Sequence, residues 1–498
     1  MLTRPAPTAA PPVEVSPTPA RPLFQWPRLD VALMIGAFLC GLLLYAWRLN
    51  IPSGYVFDEV YHAFTARELV RGNGDAYLWN TTPPPGVAYE WTHPALSKLI
   101  IQAGIHLYGS NAVGWRSMSA LFGAMGLAVV FTLGRELFNR TVAIFATILL
   151  LLDGLWFTQS RIAMNDIFMV VFLLAGFLGY YLYLRGPAHE TRRYLWFTGI
   201  ALGLAFASKW SAGYCFGLIG IFVAVREARI FWQIHAGGSQ LRQTDFWNRL
   251  GRAGRNRYRR SNSPFRVAAI LIGSLILVPV VVYLLAYSQF FAMGHTISQF
   301  NELQHQMFYY HSHLKATHKW SSRWWTWPLL LKPVWYWVQY YQTKPAKVAN
   351  IFGMGNPLVW WAFLPAMAFA FWEWWKGKAR SLSVKGLFTM LFDITQPEPD
   401  DNRLIGLKLV LIGFFGSWLP WAFSPRIAFM YHFLPSVPFG CLAIGYGLYR
   451  LRAPRLAVLG YLLPVLVSFV YFYPMLSGWA ITTDYADQHY WIDAWKPR

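Results

Sequence analysis

Eleven apolar stretches recur along this 498-residue chain, at about 30–48, 112–134, 141–157, 164–184, 194–209, 211–226, 266–288, 356–374, 404–423, 427–449 and 455–475. A helix of ~17–25 residues crosses the ~30 Å hydrocarbon layer of a bilayer, and most of these runs are of that order. In lipid a spanning segment must satisfy its own backbone hydrogen bonds, so such runs become helices. The expected fold is therefore an all-α polytopic membrane protein. Composition agrees. Hydrophobic residues make up 56% of the chain and charged residues 13%, against about a quarter charged in a soluble domain. For the chain as a whole, an aqueous enzyme, a disordered tail segment and a disulfide-rich module are excluded as the class. Cys40, Cys215 and Cys441 lie in separate apolar runs, without the grouping of a metal site or a disulfide.

Basic residues set the expected orientation. With the N-terminus in the cytoplasm, alternate loops and helix ends on that side hold 26 of the 43 Lys and Arg, and the opposite side holds 16. That bias follows the positive-inside rule. It accounts for the net charge of +21 through basic loops on anionic lipid, without a nucleic-acid partner. The expected organisation is a disordered cytoplasmic tail (1–29), a transmembrane unit (30–476) with a basic cytoplasmic loop (227–265), and an extracytoplasmic tail (477–498). Segments 49–111 and 289–355 form the large outer loops, and 95–108 is an interfacial helix.

The same alternation puts the unusual polar residues on the outer face. Asp58-Glu59 follows the first span among apolar and aromatic residues. Partial burial there raises a carboxylate pKa and poises a general base; an acidic pair at a helix N-terminus is the alternative. His93-Pro94 and Lys98 fit either an anionic headgroup or a capped helix with a snorkelling lysine. Arg116, Asp153, Arg161, Asp166, Lys209 and Arg426 lie within or at the edge of the bilayer, where ions are costly and usually paired or functional. Arg161 and Asp166 are close enough along the chain to pair. Arg116 has no local partner, which suits a phosphate ligand. His311, His313 and His318 precede Trp320 and a run of tryptophans; sugar and phosphate binding is favoured there over a metal site.

No P-loop, dinucleotide fingerprint, nucleophile elbow or zinc-protease motif is present. A lipid-carried donor then suits a site at the outer face. The stretches Phe57–His62, Thr92–Lys98, Asp153–Asp166 and Ser208–Ser211, with Thr317–Ser322, Trp324–Pro328 and Met430–Phe439, resemble the protein O-mannosyltransferases. The resemblance covers nearly all of the chain after residue 30. It implies a GT-C fold of about eleven spans and inverting transfer of mannose from polyprenyl-phosphate-mannose to Ser or Thr of proteins, during or after translocation. It implies Asp58 as general base with Glu59 orienting. It implies Arg116 as a donor-phosphate ligand and puts His93 and Lys98 in the same cleft; beside it, Lys98, Arg161, Lys209 and Arg426 are further candidate phosphate ligands, and His313, His318 and Trp320 candidate cleft residues. No cofactor is implied with certainty, although a divalent metal fits. Ala95 stands where the family commonly has a second proline. The 67 residues of 289–355 leave no room for a β-trefoil domain, which points to a prokaryotic plasma-membrane member. A lipid-modifying relative and a transporter are the alternative readings.

Overall fold

A computed structural model describes residues 26–235, 261–378 and 402–496. The expected tail up to residue 25 and residues 236–260 of the expected basic loop lie outside the described residues. Six described helices are long and apolar enough to cross a membrane: Arg28–Ala46, Ala112–Leu137, Asn165–Leu184, Pro264–Ala286, Arg403–Phe423 and Arg455–Ser477. Arg140–Leu151 and Tyr194–Ser208 are shorter apolar helices. The other three expected spans correspond to helices Gly213–His235, Phe363–Lys378 and Val437–Arg450. The interfacial segment is the helix Leu96–Tyr108, packed against Ala112–Leu137.

Burial ranks the helices. In Asn165–Leu184, 83% of the most apolar stretch is buried, against 17% in Arg28–Ala46 and Pro264–Ala286. The first is a central helix, apolar on all sides because protein surrounds it; the others turn a broad apolar face outward, as lipid-facing helices do.

The run expected at 141–157 is broken. Helix Arg140–Leu151 stops, and Asp153 starts a new short helix, Gly154–Gln159. The Asp153 carboxylate accepts the Trp156 backbone N–H (2.8 Å), the Asn356 backbone N–H (3.1 Å) and the Trp360 indole N–H (2.7 Å). It is a structural knot at the bend.

One departure from the all-α expectation lies in the outer loop. Val334–Tyr341 pairs antiparallel with Lys347–Gly353, and Ile481–Thr482 adds a short third strand. The cause is visible in the residues. Val-Trp-Tyr-Trp-Val-Gln-Tyr-Tyr is rich in β-branched and aromatic side chains and carries no helix-forming period.

Helix Tyr194–Ser208 crosses Pro264–Ala286 at a single π-turn, Gly273–Leu277. A Cβ at Gly199 would stand 1.7 Å from the Ser274 carbonyl oxygen. Gly199→Val should therefore lower stability by about 1–3 kcal/mol or more, the cost of overpacking. Thermal unfolding in detergent measures it; an unchanged midpoint would show that the two helices part without cost.

Candidate active site

The segment after the first helix is pinned from beneath. Arg116, on helix Ala112–Leu137, donates Nε–H to Glu59 Oε1 (2.8 Å) and Nη2–H to Glu59 Oε2 (2.7 Å). Its other N–H groups go to the carbonyls of Leu49 (3.1 Å), Pro52 (2.7 Å) and Gly54 (2.8 Å). Glu59 also accepts the backbone N–H of Val56 (2.8 Å) and of Ala163 (2.9 Å). Both side chains are fully enclosed. The five donors of Arg116 are thus spent on the protein, which corrects the expectation of a phosphate ligand there.

Asp58, one residue earlier, is the opposite case. No described residue donates a hydrogen bond to its carboxylate. Phe57 precedes it at φ +49°, a left-handed conformation unusual for a bulky residue. Packing holds it there, with the Phe57 ring 4.6 Å from that of Tyr336 and 5.9 Å from that of Tyr431. Asp58 is pushed up to about 7 by burial and then by the negative Glu90; Asp166 adds to this, while Lys209 and Arg426 oppose it. A carboxylate near neutrality with free lone pairs is equipped to take a proton.

Around it stands a histidine cluster. The Glu90 carboxylate accepts the Thr92 hydroxyl at 2.6 Å and lies 3.8 Å from His62 Nδ1 and 3.6 Å from His93 Nδ1. Burial pushes Glu90 up, but His62, Lys98 and the Thr92 hydrogen bond outweigh it and hold the group below its usual range. Burial likewise pulls His62 down to about 4 and His93 well below its normal value, so both are neutral near pH 7. Lys98 donates to the carbonyls of His93 (2.7 Å) and Pro94 (3.2 Å). It ties the His-Pro turn to its helix with two of its three N–H groups.

Beside this cluster a cavity of about 580 Å³ opens. His93, Lys209, His311, Arg426 and His432 supply its polar wall, and Trp210, Tyr214, Phe308, Trp421 and Phe423 much of the rest. Lys209 Nζ donates to both Asp166 oxygens (2.8 and 2.9 Å) and sits 5.4 Å from the Tyr431 ring. The expected Arg161–Asp166 pair is therefore absent. Arg161 instead donates to the carbonyls of Tyr45 (2.7 Å), Trp47 (2.5 Å) and Arg48 (3.2 Å), closing the end of the first helix. Three of its five N–H groups are committed in this way. Arg426 contacts His311, and its buried Nε–H has no partner among the described residues.

Of the later histidines, His311 reaches the cavity. His313 is exposed and stacks on Tyr309, and exposed His318 accepts the Trp320 backbone N–H at 3.1 Å. Trp320 lines a separate outer cleft with Lys319, Lys332 and Lys496. The three histidines thus serve different partners, and no three His, Cys, Asp or Glu side chains converge as metal ligands among the described residues. Sequence reasoning missed His311 as the cavity residue. Leu303 and Met307 are the buried positions of its helix, Ile297–His313, and His311 continues that i, i+4 face.

Residues 36–294 match the family model for dolichyl-phosphate-mannose-protein mannosyltransferase, and residues 296–495 match that for the C-terminal four TMM region of protein-O-mannosyltransferase. The chain is 27% identical to the polyprenol-phosphate-mannose–protein mannosyltransferase of Mycolicibacterium smegmatis, over 97% of each chain. The namesakes from Mycobacterium tuberculosis and Corynebacterium glutamicum are 26% and 24% identical, over 97% and 96% of this chain and 96% of each of theirs. The Saccharomyces cerevisiae protein O-mannosyltransferase Pmt1-Pmt2 complex, bound to the sugar donor, superposes with a TM-score of 0.71 at 15% identity, covering 96% of this chain and 94% of that one. This likeness is one of fold.

Removing Arg116 strands Glu59 as an unpaired buried charge, so Arg116→Ala should cost about 3–5 kcal/mol of stability. Arg116→Lys should recover only part, because an ammonium cannot reproduce the fork. Thermal unfolding of the purified variants measures both; a full rescue by lysine would show that charge alone matters here.

Proposed function

The chain belongs to the dolichyl-phosphate-mannose–protein mannosyltransferase family, whose models cover nearly all of it, and from that premise we propose that it transfers mannose from polyprenyl-phosphate-mannose to Ser and Thr hydroxyls of proteins at the outer face of a prokaryotic plasma membrane. It is a membrane glycosyltransferase of the GT-C fold. The observation that carries the finer reading is the pairing of an unengaged carboxylate with a cationic cavity wall: among the described residues none donates a hydrogen bond to Asp58, and none accepts the buried Nε–H of Arg426.

In the proposed reaction the donor phosphate lies against Arg426 and Lys209, and the lipid chain leaves the cavity past Phe308 and Phe423, which are 63% and 88% exposed. Asp58 takes the proton of the acceptor hydroxyl. The hydroxyl oxygen attacks the anomeric carbon from the face opposite the phosphate, the carbon–oxygen bond to phosphate breaks, and configuration inverts. The polyprenyl phosphate departs with an added negative charge, which the two cations stabilise most strongly as it develops. Glu59 does not act on substrate in this scheme. Bound to Arg116, Val56 and Ala163, it holds Asp58 in place.

Asp58→Asn should leave the fold intact and lower turnover by about 10²-fold or more, the range for losing a general base. Wild-type turnover should fall about tenfold per pH unit below about pH 7, as Asp58 is protonated and can no longer accept a proton. Both are read from mass spectrometry of a Ser/Thr peptide incubated with polyprenyl-phosphate-mannose. Near-normal turnover of the Asn variant would remove Asp58 from the mechanism. Mannose found only on lipid, never on peptide, would favour a lipid-directed enzyme.

Arg426→Ala should raise the KM for the lipid donor by about 10- to 100-fold, the loss of a charge-assisted contact. An unchanged donor KM, measured by donor titration at fixed peptide, would place the phosphate elsewhere.

A further inference from the structure

We infer that His311 is a positioning residue for the donor phosphate, acting through Arg426; this rests on the phosphate role proposed for Arg426 above. Helix Ile297–His313 is fixed at its start by Thr296 and Gln299, which cap each other's backbone N–H. It delivers His311 to the cavity wall in its last turn. There the imidazole joins two distant parts of the chain. Nδ1 contacts Arg426 Nη1, and Nε2 lies 2.7 Å from the Thr92 carbonyl oxygen.

The protonation pattern follows from the partners. A guanidinium only donates and a carbonyl only accepts. Nδ1 must therefore accept from Arg426, and Nε2 must carry the proton given to Thr92. Both ring nitrogens are committed. Aromatic neighbours fix the ring plane, with His93 at 5.3 Å, Tyr310 at 5.5 Å and Trp210 at 6.0 Å between ring centres.

Arg426 needs such a holder. It sits in the short turn between Phe423 and Met430, and no carboxylate pairs with it among the described residues. With Nη1 held by His311, the Nε and Nη2 edge remains. That edge presents two parallel N–H groups, the fork that grips two phosphate oxygens. Its Nε–H is the buried donor without an acceptor. His311 thus selects which edge of the guanidinium faces the ligand. It also links that edge to Thr92, next to the His-Pro turn whose His93 lines the same cavity.

The test is a donor and peptide titration of purified full-length protein in liposomes, with polyprenyl-phosphate-mannose as the varied lipid. His311→Ala should raise donor KM by about 10- to 100-fold, the range for losing one hydrogen bond to a charged group, and lower kcat as well, because a misoriented Arg426 stabilises the departing phosphate less. Asparagine places an amide oxygen near the position of Nδ1, so His311→Asn should keep donor KM within about threefold of wild type. Glutamine reaches Thr92 instead, and His311→Gln should behave as the alanine variant does. If His311→Ala does not fold, the Asn and Gln variants decide the matter: lower donor KM for Asn supports the inference, and equal values overturn it. A rise in donor KM for Arg426→Ala with no change for His311→Ala also overturns it and leaves the phosphate reading standing. No change for Arg426→Ala removes that reading, and the inference with it.

Discussion

The Glu59–Arg116 pair is the constraint on which the candidate site depends. Placing a carboxylate and a guanidinium out of water costs several kcal/mol each, and attraction repays it only when the remaining donors and acceptors are satisfied. Here they are. Arg116 spends all five N–H groups, and Glu59 accepts from Arg116, Val56 and Ala163. The pair thereby fastens three separate pieces of chain: the strap after the first helix, helix Ala112–Leu137, and the turn at 160–164. Arg161 repeats the device on the carbonyls that end the first helix. Arginine suits both places because one rigid, permanently charged group can close several carbonyls at once.

A fixed Glu59 explains how its neighbour can remain unengaged. Two adjacent carboxylates on a flexible strap would share whatever cations approach. With Glu59 locked downward, the backbone at Phe57 is driven into the left-handed region, and the ring contacts to Tyr336 and Tyr431 keep it there. A strained conformation costs of order 1–3 kcal/mol and persists only where the surroundings over-determine it. Asp58 is left between Glu90 and Asp166 on the negative side and Lys209 and Arg426 on the positive. The two acids of one dipeptide are thus separated by environment: Glu59 is engaged by Arg116, Val56 and Ala163, whereas Asp58 is pushed toward its protonated form by burial and Glu90.

The sequence displayed what depends on short-range pattern and hid what depends on long-range pairing. Apolar runs marked the helices, and the acidic pair, Lys209 and Arg426 stood out as ions in apolar surroundings. Arg116 looked partnerless because Glu59 lies 57 positions away, and Lys209 meets Asp166 across 43. Nothing in local spacing distinguishes an arginine that will bind phosphate from one that will bind five groups of its own chain. The outer hairpin was hidden for another reason: its tryptophans and tyrosines suit a membrane interface as well as a strand. His311 was legible in principle. Its position continues the face of Leu303 and Met307, whereas His313 leaves that face.

The cavity's uneven chemistry bears on how a lipid-borne sugar would be told from the surrounding lipid. Its aromatic rim offers contact to any isoprenoid or acyl chain, because apolar burial is non-directional. Discrimination must therefore come from the polar wall. Lys209 is paired with Asp166, which limits its pull on anionic headgroups in general. Arg426 has no such counter-ion among the described residues, but its one tethered nitrogen confines it to a single orientation. On the proposed reading a compact phosphodiester would present two oxygens to that edge, and a zwitterionic headgroup would bring a cation that the neighbouring lysine repels. Affinity supplied by hydrophobic contact and selectivity supplied by one oriented guanidinium are then separable properties of the same pocket.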